Sequence, residues 1–108
     1  SALKGVTYES LPDVLCVQLM RFVFNLQLMR RAKLQNMLSC PLRLDLSFLL
    51  ESAPEPMVYE LTGVCLHSGT AHGGHYHAYT SDPYSKVWRD CNDCRVTILS
   101  AAQIENLF

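Results

Sequence analysis

The sequence has no excess of charge of either sign: nine Lys and Arg stand against ten Asp and Glu, a formal net charge of −1. That balance removes the electrostatic case for a nucleic-acid or anionic-membrane partner. No apolar run comes near the roughly 18–20 residues that span a bilayer. The opening stretch, SALKGVTYESLPDV, lacks the basic-then-apolar build of a secretory signal and reads as a cut through a longer protein. Internal repeats and low-complexity segments are missing too. The cysteines, Cys16, Cys40, Cys65, Cys91 and Cys94, are odd in number and sit mostly inside apolar runs. They read as reduced thiols serving as small core hydrophobes in an intracellular compartment, cytoplasmic or nuclear.

What is present fits one globular piece. The chain has 108 residues, 49% hydrophobic and 18% charged, enough for a single domain with a modest core. Val14–Phe24 (VLCVQLMRFVF) is apolar on both alternating faces and reads as a central strand covered on both sides. Asn25–Asn36, with Arg30, Arg31 and Lys33, reads as a solvated turn. Leu42–Leu50 begins with a period-2 alternation typical of a half-buried strand. Ser52–Pro56 is a surface connection, and Tyr59–His67 is the next strand. His75–Ser81 and Lys86–Cys91 form a hairpin whose turn starts at Asp82-Pro83, and a short strand follows around Arg95–Leu99. Ser100 with Gln103 resembles a capping box opening a helix through Ile104 and Leu107. About six strands and one terminal helix predict an α+β fold that is mainly antiparallel sheet.

The chemistry concentrates between His67 and Asp93, in HSGTAHGGHYHAYTSDPYSKVWRDCND. His75 begins a strand, and the hairpin that follows can bring Asn92 beside its ring. An amide oxygen there accepts from one imidazole nitrogen, leaving the other free to take a proton from a thiol. That is the His-Asn half of a Cys-His-Asn constellation. Asp93 either points away or assists from behind; spacing does not decide. Gly73 and Gly74 carry no side chains, so a substrate backbone can pass close to the histidine.

The string YELTGVCLHSGTAHGGHYHAYT, continued by VWRDCNDCRV, resembles the histidine box of the ubiquitin-specific proteases. LPDVLCVQLMRF resembles that family's upstream strand, and Pro41-Leu42 with Leu44-Asp45-Leu46 a further element of it. The matches keep the family's order from about Lys4 to Ile104. The resemblance implies a papain-like cysteine peptidase, with residues 1–108 supplying the C-terminal part of its catalytic domain, palm and part of the fingers, truncated at both ends. It implies His75 as general base, Asn92 as third triad member and Asp93 as acidic neighbour. Ser68–Gly74, including His72, Gly73 and Gly74, corresponds to a mobile loop gating the channel for ubiquitin's Gly-Gly tail, and Tyr76 falls where that channel is lined. The implied reaction is thiol-dependent hydrolysis of the isopeptide bond after ubiquitin's C-terminal glycine, without a cofactor. The implied partners are ubiquitin, ubiquitinated proteins and the N-terminal half of the same catalytic domain.

The family's nucleophile belongs to an Asn-x-Cys-Tyr type segment upstream, and none of the five cysteines has that setting. The zinc knuckles common in the fingers are absent as well. Three rival readings accompany the peptidase. His67, His72, His75, His77, Cys91 and Cys94 are possible zinc donors. Cys91-Asn-Asp-Cys94 is a redox-type spacing without a helix N-terminus to activate it. A parent without the nucleophile would be a ubiquitin-binding or scaffold module.

Overall fold

The computed structural model describes residues 4–52 and 55–107. The chain divides into two units, Ser1–Gln18 with Leu42–Glu60 and Leu19–Pro41 with Leu61–Phe108.

In the first unit, strands β3 (Arg43–Asp45) and β4 (Val58–Glu60) pair antiparallel, Leu44 opposite Tyr59. The strand expected over Leu42–Leu50 stops at Asp45. Its carboxylate accepts from the backbone N–H groups of Ser47 (2.9 Å) and Met57 (3.2 Å), and a 3₁₀ turn, Ser47–Leu49, follows. A side chain that satisfies nearby backbone donors competes with the sheet ladder, which is why the alternation breaks there. Leu46 is buried beside this turn. Tyr8 bridges to Leu50, and the Tyr59 hydroxyl donates to the Pro12 carbonyl.

The second unit opens with a hairpin of β1 (Phe22–Asn25) and β2 (Arg30–Lys33), Phe22 opposite Lys33. The strand expected over Val14–Phe24 is therefore only its last three residues and Asn25. Val14, Val17 and Met20 are 85%, 69% and 73% exposed. A strand apolar on both faces needs a layer on each side, and here β1 pairs with β2 alone. The basic run is likewise strand rather than turn. The turn is Leu26–Met29, closed by the Asn25 side chain accepting from Leu28 N–H at 3.0 Å, with Met29 in the left-handed region (φ 53°).

The four-stranded antiparallel sheet runs in the order β5 (Gly63–Thr70), β6 (Gly73–Ser81), β7 (Trp88–Asn92), β8 (Arg95–Ile98). The expected Tyr59–His67 strand is split between β4 and β5. Asp82 makes the β6–β7 turn as predicted: its Oδ1 accepts from Tyr84 N–H (2.8 Å) and Ser85 N–H (3.0 Å). Those bonds, Ser85's first, hold its carboxyl below the usual 3.8. Trp88 and Leu99 are buried and joined by a 2.9 Å bond from Leu99 N–H to the Trp88 carbonyl. The capping box forms as read. Ser100 N–H donates to Gln103 Oε1 (2.9 Å) and Gln103 N–H to Ser100 Oγ (3.2 Å), opening helix α1 (Ala101–Leu107). Such a cap is worth about 1 kcal/mol. The described fold is thus eight strands and one short helix, mostly antiparallel sheet.

Candidate active site

Alternation along β6 puts His75, His77 and Tyr79 on one face and Tyr76, Ala78 and Thr80 on the other. The backbone ladder between β6 and β7 ends at Ala78 opposite Cys91. Past that point side chains make the connection. His75 Nε2 lies 2.5 Å from Asn92 Oδ1. An amide oxygen only accepts, so Nε2 carries the hydrogen, and in the neutral ring the lone pair is on Nδ1. Asp93 Oδ2 is 3.9 Å from the same nitrogen, too far for a hydrogen bond but close enough to act as a charge. Asp93 occupies the β7–β8 turn in the left-handed region, φ 53°. The question that spacing left open has a geometric answer: Asn92 touches the ring and Asp93 stands behind. The His75 side chain is 48% exposed, so its open nitrogen is reachable.

The segment expected as a flexible loop, Ser68–Gly74, is the end of a hairpin. β5 and β6 pair through Ser68 opposite His75, Gly69 opposite Gly74 and Thr70 opposite Gly73, leaving only Ala71 and His72 as the turn. His72 N–H donates to Thr70 Oγ1 at 3.3 Å. The glycines here differ in purpose. A Cβ on Gly69, whose φ is 113°, would come within 2.7 Å of the Gly73 carbonyl oxygen. A Cβ on Gly74 would overlap the Ser68 carbonyl and the His67 ring. A Cβ on Gly73 meets nothing within 4 Å. Gly69 and Gly74 therefore serve the hairpin itself, while Gly73 leaves open room next to His75.

The opposite face is aromatic. His67, paired with Tyr76, has its ring 4.6 Å from the Tyr76 ring and 5.0 Å, edge-on, from Phe22. Lys33 Nζ donates to the carbonyls of His67 (3.1 Å) and Gly69 (3.4 Å), tying β2 to the turn end of the hairpin. His67 Nδ1 is buried without a hydrogen-bond partner. Burial, and then the Lys33 ammonium, hold its pKa below the ordinary 6.5. Sequence reading missed this support. The available signal was His67 in phase with Tyr76 across a short turn, facing a glycine.

Ser68, His72, Gly73, Gly74 and Tyr76 are all exposed around the hairpin end; Ser68 is directly across from His75, and Tyr76 projects from the other face. The register places Cys65 and Cys91 opposite Ala78, on the face away from His75. None of the five thiols is a core filler as expected: Cys16, Cys65 and Cys94 are exposed, Cys40 and Cys91 partly so, and all are free. Among the described residues no three of His, Cys, Asp or Glu gather to hold a metal ion, and no helix is long and apolar enough to cross a membrane.

The ubiquitin carboxyl-terminal hydrolase profile matches residues 4–106. The chain belongs to that family. It is 35% identical over 106 residues to ubiquitin carboxyl-terminal hydrolase 48 of Danio rerio, covering 97% of this chain and 10% of the relative. It is 40% identical over 97 residues to ubiquitin carboxyl-terminal hydrolase 15 of Schizosaccharomyces pombe, covering 87% and 9%. The chain thus spans about a tenth of the length of these relatives. Among solved structures it is similar to the Ubp8/Sgf11/Sus1/Sgf73 SAGA DUB module bound to monoubiquitin. The TM-score is 0.72 at 29% identity, with 81% of this chain and 19% of that one covered. The same module bound to ubiquitin aldehyde gives 0.71 at 26% identity. The mainly antiparallel α+β architecture expected from the sequence is the one these neighbours share with this chain over 81% of its length.

Proposed function

We infer that this chain supplies the His-Asn half of a thiol-dependent deubiquitinating site. The observation that carries the reading is the 2.5 Å contact between His75 Nε2 and Asn92 Oδ1. It sets the tautomer that leaves Nδ1 basic. In the proposed reaction Nδ1 takes the proton of a cysteine thiol, and the thiolate attacks the carbonyl carbon of ubiquitin's terminal glycine. The imidazolium returns that proton to the departing lysine amine as the C–N bond breaks. Water, deprotonated by the same nitrogen, then hydrolyses the thioester and restores the thiol. Asn92 orients the ring, and Asp93 stabilises the imidazolium through space. Ser68, His72, Gly73 and Gly74 border the tail's path, with Gly73 giving the closest approach. Tyr76, expected along that channel, projects from the opposite face, where it is braced on His67 and backs the strand that carries His75.

The thiol is taken to come from a part of the parent outside this chain. None of the five cysteines has the family's nucleophile setting, and Cys65 and Cys91 lie on the other face, so the 108 residues alone should not react with an electrophilic ubiquitin probe. The remaining partners in the reading are ubiquitin, ubiquitinated proteins and the N-terminal half of the catalytic domain. That half also fits the exposed apolar run Val14–Met20. Free thiols throughout suit the cytoplasm or nucleus. The same cysteine placement is what favours the second reading, a ubiquitin-binding module without turnover. Cleavage of a fluorogenic ubiquitin conjugate by the full-length protein, abolished in His75→Ala with ubiquitin binding kept, supports the enzyme. Turnover surviving in that variant refutes it, and binding without wild-type turnover selects the module.

A further inference from the structure

A second histidine bridge lies one rung inside the first. His77 Nδ1 is 2.8 Å from Asp90 Oδ1, and the pair is more enclosed than His75, with side chains 18% and 23% exposed. The two bridges repeat one geometry. Asp90 is registered opposite Tyr79 yet reaches His77; Asn92, two residues on, reaches His75. Both β7 side chains lean toward the N-terminal end of β6. The Tyr79 ring lies 5.6 Å from the His77 imidazole, edge-on.

This placement creates a competition. Asp90 and Asn92 alternate onto the same face of β7, so the Asp90 carboxylate is the nearest strong acceptor along its own strand for the Asn92 amide hydrogens. The β6–β7 ladder has ended at Ala78 and Cys91 while Asn92 stays paired with Arg95 of β8, so the link from Asn92 across to β6 is made by its side chain alone. We propose that His77 is a positioning residue: by drawing the Asp90 carboxylate toward β6 and away from the end of β7, it keeps the Asn92 amide directed at His75. His77 touches neither the reacting thiol nor the substrate; it acts through Asn92. The proposal deepens the deubiquitinating reading and rests on it for its kinetic test alone.

The test uses the full-length protein with His77→Phe, Asp90→Leu and the double variant, matched by thermal unfolding. In His77→Phe, kcat for ubiquitin release should fall about tenfold with KM little changed, the pattern expected when a reacting group is misplaced. Adding Asp90→Leu removes the competing acceptor, so the double variant should recover most of that loss. A pair holding only the fold together would not produce rescue in kcat. The ¹⁵N ring signals of His75 should show the Nε2-protonated tautomer in the wild type and the double variant, and an averaged pair in His77→Phe. Where phenylalanine is not tolerated, His77→Leu makes the same comparison. Unchanged kcat in the single variant, or no recovery in the double, overturns the proposal. If the wild type releases no ubiquitin, the deubiquitinating reading fails, and the His75 ring signals alone decide this one.

Discussion

His67 and His75 belong to one hairpin and face opposite sides of it. His75 is half exposed, holds an amide oxygen at 2.5 Å and offers its other nitrogen to solvent. His67 is packed between Phe22 and Tyr76 with Nδ1 buried and unpartnered. The same imidazole is open to solvent on one face, where the proposed reaction uses it, and a filler on the other. The difference lies in the partner and the water around each ring.

The strongest way to break that contrast is at the reagent. His75→Ala should lower kcat of the full-length protein by about 10²–10⁴-fold or more, the range of a lost proton acceptor, with the unfolding temperature unchanged. Next comes the partner. Asn92→Ala should cost about ten- to a hundredfold in kcat, and Asp93→Ala less, because its carboxylate stands 3.9 Å off. Reversal of that order in steady-state kinetics would assign the orienting role to Asp93.

The glycines sharpen the contrast at smaller amplitude. Gly73→Ala should leave stability alone and raise KM for ubiquitin substrates, since its Cβ fills only open space. Gly74→Ala should lower the unfolding temperature, because its Cβ meets the Ser68 carbonyl and the His67 ring. Equal effects of the two on stability would contradict the division between them.

The smallest effect is the pH dependence at His67. Its folded pKa lies below the unfolded value of 6.5, so the unfolded chain binds the proton more readily. The contribution of the neutral ring is complete above pH 6.5, and is lost as pH falls through that value toward the folded pKa. Unfolding measured from pH 7.5 down to 5 should show the wild type losing stability relative to His67→Phe, which cannot titrate. Parallel curves for the two proteins would remove the burial argument.

Local signals were legible where the chain satisfies itself. The Ser100–Gln103 cap, the Asp82 turn and the β6–β7 hairpin each depend on residues a few positions apart, and each stands where the pattern placed it. Readings that assumed a covering layer did not hold. Val14–Met20 and the five thiols were apolar enough to be core, yet they are exposed or only partly covered. Apolar composition states a need for burial and says nothing about what supplies it. The Ser68–Gly74 stretch read as a loop because glycine is the usual mark of one. Two of its glycines instead let paired strands approach closely, a role visible only when both strands are present.

The sequence by itself determined the family and singled out the residues on which the proposed chemistry rests, because hydrogen-bonding types at fixed spacing survive in one dimension. The tertiary structure alone decided which neighbour of His75 touches it, which glycine is free, that His67 is packed between rings and that His77 is bridged to Asp90. Those outcomes depend on strand register, and a shift of one residue would turn every side chain of β6 to the other face.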